Sequence, residues 1–371
     1  MNYNKIVQGI LDIGEAMLQS GAENFRLEDS FYRMCRSYGF KRSDVFVIPS
    51  NIQVTVETPE GEIITQIRHI ESSEPNFDQL DYLNNLCRYV CQHTPDENEM
   101  REKYLEVINR EPQKRITRYA AGIMGGTGFA VFFGCNLWDA VIAFIVSVMI
   151  VAVGDWLAKR ESNLLVYNGI LAFISEVIII GALKMGIAEH PDRIMIGIVM
   201  LLISGLSTTN GIRDLLQRDF ISGFINIMNS FLGAAGIAFG IGLAIILFHE
   251  GYSDHFILNH SVPIQLLSCT VACTGFALWF KIRGKQVWYN SIGAFFTWAI
   301  YVAVYAVKPS NFLATMIAAG FVGFYAFIMS RVNKAPSTIF LTASVFPLIP
   351  GPNLYYVCLL YTSPSPRDRS V

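Results

Sequence analysis

The 371-residue chain is short of charge: 16% of its residues are Asp, Glu, Lys or Arg against 52% hydrophobic, and its mean hydropathy is +0.39. A soluble domain carries about 25% charge, so most of this chain belongs in lipid. A basic surplus is also missing. With a net charge of −2 and an isoelectric point near 6.3, the chain has no cationic face for nucleic acid, and that partner is excluded. Metal-ligand spacing is absent too. Cys87/Cys91 and Cys269/Cys273 each stand four residues apart, but neither pair has a second Cys or His pair to complete a site. No metal and no cofactor is expected. Nor does the N-terminus have the apolar core of a signal peptide, because Asp12 and Glu15 interrupt the amphipathic pattern of Ile6, Ile10, Ile13 and Met17. It is expected to stay in the cytoplasm.

The charge that is present is concentrated. Residues 1–118 hold 14 of the 28 Lys+Arg and 19 of the 30 Asp+Glu, so 1–113 reads as a separate cytoplasmic α+β domain. An amphipathic helix over 3–19 ends near Gly21, and a second over 25–38 is stopped by Gly39. Alternating segments at 44–48, 52–58 and 62–68 predict strands, the last two joined by the turn Pro59-Glu60-Gly61. Polar helices over 76–93 and 97–109 complete the unit. No enzyme is legible in it. His69 and His93 are its only histidines, no Ser, Cys and His arrangement forms a recognisable local motif, and no glycine-rich phosphate loop follows a strand. Glu28 and Asp29 with Arg26 form the one cluster with a catalytic reading, and a solvated helix face is the far commoner explanation of such a cluster.

From 114 onward hydropathy predicts nine spans: 119–133, 138–156, 164–183, 194–206, 220–248, 262–280, 287–307, 312–329 and 339–348. Two are short. A crossing takes about 20 apolar residues, and the segments beginning at Ile194 and Ile339 fail early, at Ser204-Gly205 and at Pro350-Gly351. Irregular backbone facing lipid would leave N–H and C=O groups unpaired, so such breaks must face protein or a water-filled path. A pair of interrupted segments, one in each half, points to the binding site of a secondary transporter. With the N-terminus inside, the cytoplasmic set is Lys114, Arg115, Arg118, Lys159, Arg160, Arg213, Arg218, Lys281, Arg283, Lys285, Arg331 and Lys334, and the outer set only Lys184, Arg193 and Lys308. That bias predicts a multi-pass protein of the cell membrane with a cytoplasmic N-terminus.

The expected halves are 114–250, with five spans, and 251–357, with four where a five-plus-five plan requires a tenth. Equivalence of the fourth and ninth spans makes an inverted repeat. The recurrences "AAGI" (120–123, 234–237) and "YN-x-I-x-AF" (167–173, 289–295) imply a parallel one, but both are short and apolar, where chance similarity is easy, and the inverted repeat is the preferred reading. Residues 358–371, "CLLYTSPSPRDRSV", read as a non-native tail, with a short disordered tail as the alternative.

Ionisable groups inside a span are functional candidates because their burial is costly. Glu176, in "AFISEVIII", is placed to accept a proton or meet an ammonium group; the alternative is a protonated carboxyl bonded to Ser175 or a neighbouring helix. Asp139 and Asp155 lie at span ends and read as interfacial. The stretch after the first break gathers Ser204, Gly205, Ser207, Thr208, Thr209, Asn210, Arg213 and Asp214, groups suited to the carboxylate and ammonium of an amino acid. The bland reading is a capped loop with a surface ion pair. Asn226 and Asn229 are weaker candidates, since amides often join helices.

Four motifs, "GEAMLQSGAENFRLED" (14–29), "SNIQVTVETPEG" (50–61), "SGLSTTNGIRDL" (204–215) and "FPLIPGPNLYY" (346–356), resemble the threonine/serine exporter family. The resemblance runs from about 5 to 357, and the chain resembles a fusion of the two proteins of the family's two-component version. It implies export of threonine and serine driven by the proton gradient, with small dicarboxylates such as succinate as the alternative cargo. It also marks Gly21, Ala22, Glu23, Arg26 and Glu28 as a cytoplasmic signature. Ser204 stands where the family usually has proline, whereas Pro350-Gly351 keeps the family pattern. The implied partners are the small-molecule substrate, protons and the bilayer, with a homo-oligomer left open. A membrane-anchored sensor or enzyme acting through residues 1–113 is the reading from a different class.

Overall fold

The computed structural model describes residues 2–71, 73–203, 205–248 and 261–349. The first part alternates as its sequence requires. Helix α1 (Tyr3–Gln19) buries Ile6, Val7, Ile10, Leu11 and Ile13, and Asn2 caps its first turn. Gly21, at φ +89°, ends the helix in a conformation that costs other residues more, and turns the chain into α2 (Asn24–Ser37). Strands β1 (Arg42–Ile48), β2 (Asn51–Glu57) and β3 (Ile63–His69) form an antiparallel sheet in the order β1-β2-β3. Its inner face, with Val47, Ile52, Val54, Val56 and Ile64, is buried. Helices α3 (Phe77–His93) and α4 (Glu97–Ile108) close the layer.

The remaining helices are α5 (Arg115–Phe132), α6 (Leu137–Leu157), α7 (Leu164–Lys184), α8 (Pro191–Leu202), α9 (Gly205–Leu216), α10 (Phe220–Phe248), α11 (Val262–Trp279), α12 (Lys285–Val307), α13 (Asn311–Asn333) and α14 (Ser337–Val345). A 3-10 turn, Phe346–Leu348, follows α14. The chain is mostly helical, about 75%. Among the described residues six helices (α6, α7, α10, α11, α12 and α13) are long and apolar enough to cross a membrane, or seven spans if α8 and α9 count as one bent crossing. The nine spans read from hydropathy exceed this. Helix α5 carries Arg115 and Arg118 in its first turn, and Ser337–Leu348 is a shorter apolar helix of only about 18 Å at 1.5 Å per residue.

Packing follows small residues. Helix α10 lies against α7 where a Cβ on Gly236 would meet the Leu165 carbonyl oxygen at 2.3 Å and one on Gly240 the Gly169 oxygen at 2.2 Å. Helix α5 meets α11 at Gly128 and Ala272 and at Gly125 and Gly275, a small-residue seam of the kind that draws helices together in lipid. Helix α5 also packs on α6 and α8, α6 on α7 and α8, and α7 on α8; α11 packs on α12 and α14, α12 on α13 and α14, and α13 on α14. The N-terminal layer joins these helices through Phe77, whose N–H donates to the Phe280 carbonyl at 3.1 Å and whose ring lies 5.6 Å from that of Phe280.

Candidate functional site

The first break is a bend. Helix α8 stops when Ile203 adopts extended backbone (ψ 127°), and α9 leaves at 57° to it. The stretch that the bland reading made a loop is helical from Gly205 onward, and Gly211, Asp214 and Leu215, at helical spacing, face α10. Glycine faces glycine where α9 crosses α10. A Cβ on Gly211 would lie 2.8 Å from Ile227 Cγ1 and 3.0 Å from the Gly223 carbonyl oxygen.

Several polar groups expected at the break make local bonds. The Thr209 hydroxyl donates to the Gly205 carbonyl at 2.9 Å, and Thr208 shares a hydrogen bond with Ser230 of α10 at 2.5 Å. Asn210 is half-buried. The bland reading made Arg213 and Asp214 a surface ion pair; in the structure each has a partner from the N-terminal layer. Asp214 is 4% exposed and accepts from the Asn226 amide at 3.0 Å and the Asn24 amide at 3.5 Å. Arg213 pairs with Glu23, which also holds Arg26 at 3.4 Å. Arg26 in turn donates to Ser337 at the start of α14, at 2.6 Å. The signature residues of the N-terminal layer and the "N-x-IRDL" stretch thus form one cluster, with Glu23 at its centre.

Glu28 lies on the same helix, one turn further. Burial pushes its carboxyl above the ordinary 4.5, a backbone hydrogen bond from Val47 opposes the rise, and Asp219 and Asp214 add to it. Ala22 is buried, and Gly21 supplies the turn that brings Glu23 to α9.

The second broken segment meets the first. The atom nearest a Cβ built on Gly205 is Ile349 Cδ1, at 3.3 Å. Just before it, Phe346 stacks on Phe276 with centroids 4.0 Å apart. Ser204, Pro350 and Gly351 lie outside the described residues. Sequence reading missed Asn168 as a site residue. Its side chain, 2% exposed, bridges the break: the amide donates to the carbonyls of Leu202 at 3.5 Å and Gly233 at 3.3 Å. The available signal was an amide inside an apolar span, the "YN-x-I-x-AF" motif, whose second copy carries Asn290. The Asn290 carbonyl accepts from Ser344 of α14 at 3.2 Å.

Glu176 is fully buried in α7. It sits eight residues beyond Asn168, about 12 Å along the helix, so it stands apart from the break. The Ser175 hydroxyl beside it donates to the Leu171 carbonyl at 2.7 Å. Asp139, read as interfacial, is instead fully buried. It caps α6 and accepts from the N–H groups of Glu189 (2.9 Å) and His190 (3.3 Å) and from the His190 ring (2.9 Å). The α7–α8 connection folds back on it, which a span-end pattern does not reveal. Asp155 pairs with Arg118 at 2.8 Å.

No solved structure matches the chain. A threonine/serine exporter of Corynebacterium glutamicum is 23% identical over 92% of this chain and 73% of its own length. A protein of Mycobacterium tuberculosis named "Probable threonine/serine exporter" is 21% identical over 95% of this chain and 69% of its own. A family model for threonine/serine exporters matches residues 8–248, and a second threonine/serine exporter model matches residues 265–365. With its apolar helices, its bent α8–α9 pair and these matches along its length, the chain belongs to the threonine/serine exporter family, a family of membrane transporters.

Proposed function

We propose that this chain exports threonine and serine through a path lined by the α8–α9 bend, driven by protons entering from outside. One observation carries the reading: the two broken segments, separated by more than a hundred residues, meet at Gly205 and Ile349, and the cytoplasmic signature docks beside them through Glu23, Asn24 and Arg26. An anchor for a sensor or enzyme needs no bent helix held in this way. The charges support an amino acid over a dicarboxylate. Arg213 and Arg26 face Glu23 and Asp214, with Glu28 and Asp219 close by, so a zwitterion can exchange partners there while a dianion meets repulsion. In this reading Thr208, Thr209, Asn210, Arg213 and Asp214 belong to the substrate path, and Glu176 carries the proton.

The packing also favours an inverted repeat over a parallel one. Matching α5–α9 to α11–α14 pairs α5 with α11, α6 with α12, α7 with α13 and the bent pair with α14. The pairs α5·α6, α6·α7, α7·α8, α6·α8 and α5·α8 then have counterparts in α11·α12, α12·α13, α13·α14, α12·α14 and α11·α14. The parallel scheme would need α10 to pack on α11 as α5 does on α6, and among the described residues these two do not pack to that extent. Halves related in this way, with residues 1–113 cytoplasmic, suit alternating access.

The test is efflux of labelled threonine, serine and succinate from loaded cells expressing the chain. Threonine and serine efflux that a protonophore abolishes supports the proposal. Succinate efflux alone would reassign the cargo, and no efflux of any of the three would reject the exporter reading for this chain.

A further inference from the structure

A second site lies away from the break, where the N-terminal layer meets the ends of α5 and α11. It is a cavity of ≈ 330 Å³ lined by four cations from three stretches: Arg110 after α4, Arg118 in the first turn of α5, and Lys281 and Arg283 between α11 and α12. The lining holds only two carboxylates, Asp78 and Glu111.

The cations are positioned but incompletely matched. Asp78 alone serves both Arg110, at 3.5 Å, and Arg283, at 3.6 Å, each longer than a good charge-assisted bond. The Arg110 guanidinium lies 3.4 Å from the centroid of the Tyr82 ring, and its Nε has no hydrogen-bond partner among the described residues. Arg283 is held by the Glu111 carbonyl at 2.9 Å. Lys281 sits at φ +60°, a region that favours glycine, and its partner Glu74 is 65% exposed. Arg118 keeps its own partner, Asp155, at the cavity edge. The N-terminus of α3, capped by Asn76, also opens here, and its dipole favours an anion.

We propose that this cavity binds an anionic phosphate, either the headgroup of an acidic phospholipid or a soluble phosphate compound. Donors from three directions suit a tetrahedral anion better than a flat carboxylate. The bound anion would tie the N-terminal layer to α5 and to the α11–α12 connection. The inference is independent of the transport site.

The experiment uses the full chain in neutral detergent. Native mass spectrometry and thermal unfolding are followed while dioleoyl phosphatidylglycerol, inorganic phosphate or succinate is added, with dioleoyl phosphatidylcholine as the control lipid. Phosphatidylglycerol or phosphate should bind and raise the melting temperature. Arg283→Gln should weaken that binding at least about tenfold, the loss expected for one charged hydrogen bond. Asp78→Asn, which frees two guanidinium groups, should strengthen it. Response to phosphatidylglycerol alone identifies a lipid site, and response to phosphate identifies a soluble ligand. Binding unchanged by Arg283→Gln, binding of succinate as tight as phosphate, or no binding of either phosphate source overturns the proposal. If Arg283→Gln fails to fold, Asp78→Asn decides: a purely structural Asp78 predicts weaker binding, not tighter.

Discussion

Glu23→Gln should loosen the N-terminal layer from the bent helix. The substitution keeps the side chain's size and removes the charge that holds both Arg213 and Arg26. The side chains of Glu23 and Arg213 are 10% and 26% exposed, between the surface case, at about 0–1 kcal/mol, and the buried case, where losing one partner costs about 3–5 kcal/mol. A loss of about 2 kcal/mol follows, about thirtyfold in the docking equilibrium. Hydrogen exchange of the α9 amides, measured on the purified full chain, reads that equilibrium directly. Glu23→Gln and Arg213→Gln should each speed exchange, and the double variant should be less damaged than the two effects added. The expected coupling is at least about 1 kcal/mol, within the range for residues in one network. Strict additivity, or exchange in Glu23→Gln indistinguishable from wild type, would refute the reasoning that this ion pair holds the cluster together.

Glu28 gives the cluster a pH dependence. Its folded carboxyl titrates above the ordinary 4.5, so its contribution to docking is full below that value and is lost as pH rises through the folded value. Glu28→Gln should flatten the acid-side dependence of α9 exchange and protect α9 more than wild type at neutral pH. Gly240→Val should disrupt the α7–α10 seam, since even a Cβ would lie 2.2 Å from the Gly169 oxygen; a loss of stability of about 1–3 kcal/mol or more is expected, seen as a lower melting temperature, whereas Gly320→Val, with nothing within 4 Å, should melt as wild type. Asp214→Asn and Asn210→Ala should reduce threonine efflux at normal membrane expression; normal efflux in both would remove this stretch from the path. For Glu176→Gln the expected result is lost gradient-driven efflux with exchange retained, and wild-type coupling in this variant would end its assignment to the proton.

The sequence by itself determined the elements. The 3.6-residue pattern from Tyr3 to Gln19, the alternation in the three strands and the long apolar runs of α6, α7 and α10 each depend on neighbours a few residues away, so a local reading finds them. It also located the first break, because a span that stops at a small-residue step shows its defect in its own residues. Tertiary structure decided what the break faces. That Arg213 answers to Glu23 rather than to Asp214, that Asp214 is covered by Asn24 from 190 residues away, and that Asn168 closes the gap at Leu202 all depend on which surfaces the packed helices bring together. An amide or carboxylate inside an apolar run signals that a partner must exist, since burying it alone is costly, but several partners would satisfy it equally. The same reason hid the helical state of α9 and the burial of Asp139. Local pattern fixes where a polar group sits along its helix, and only the docking of one helix on another fixes which group it meets.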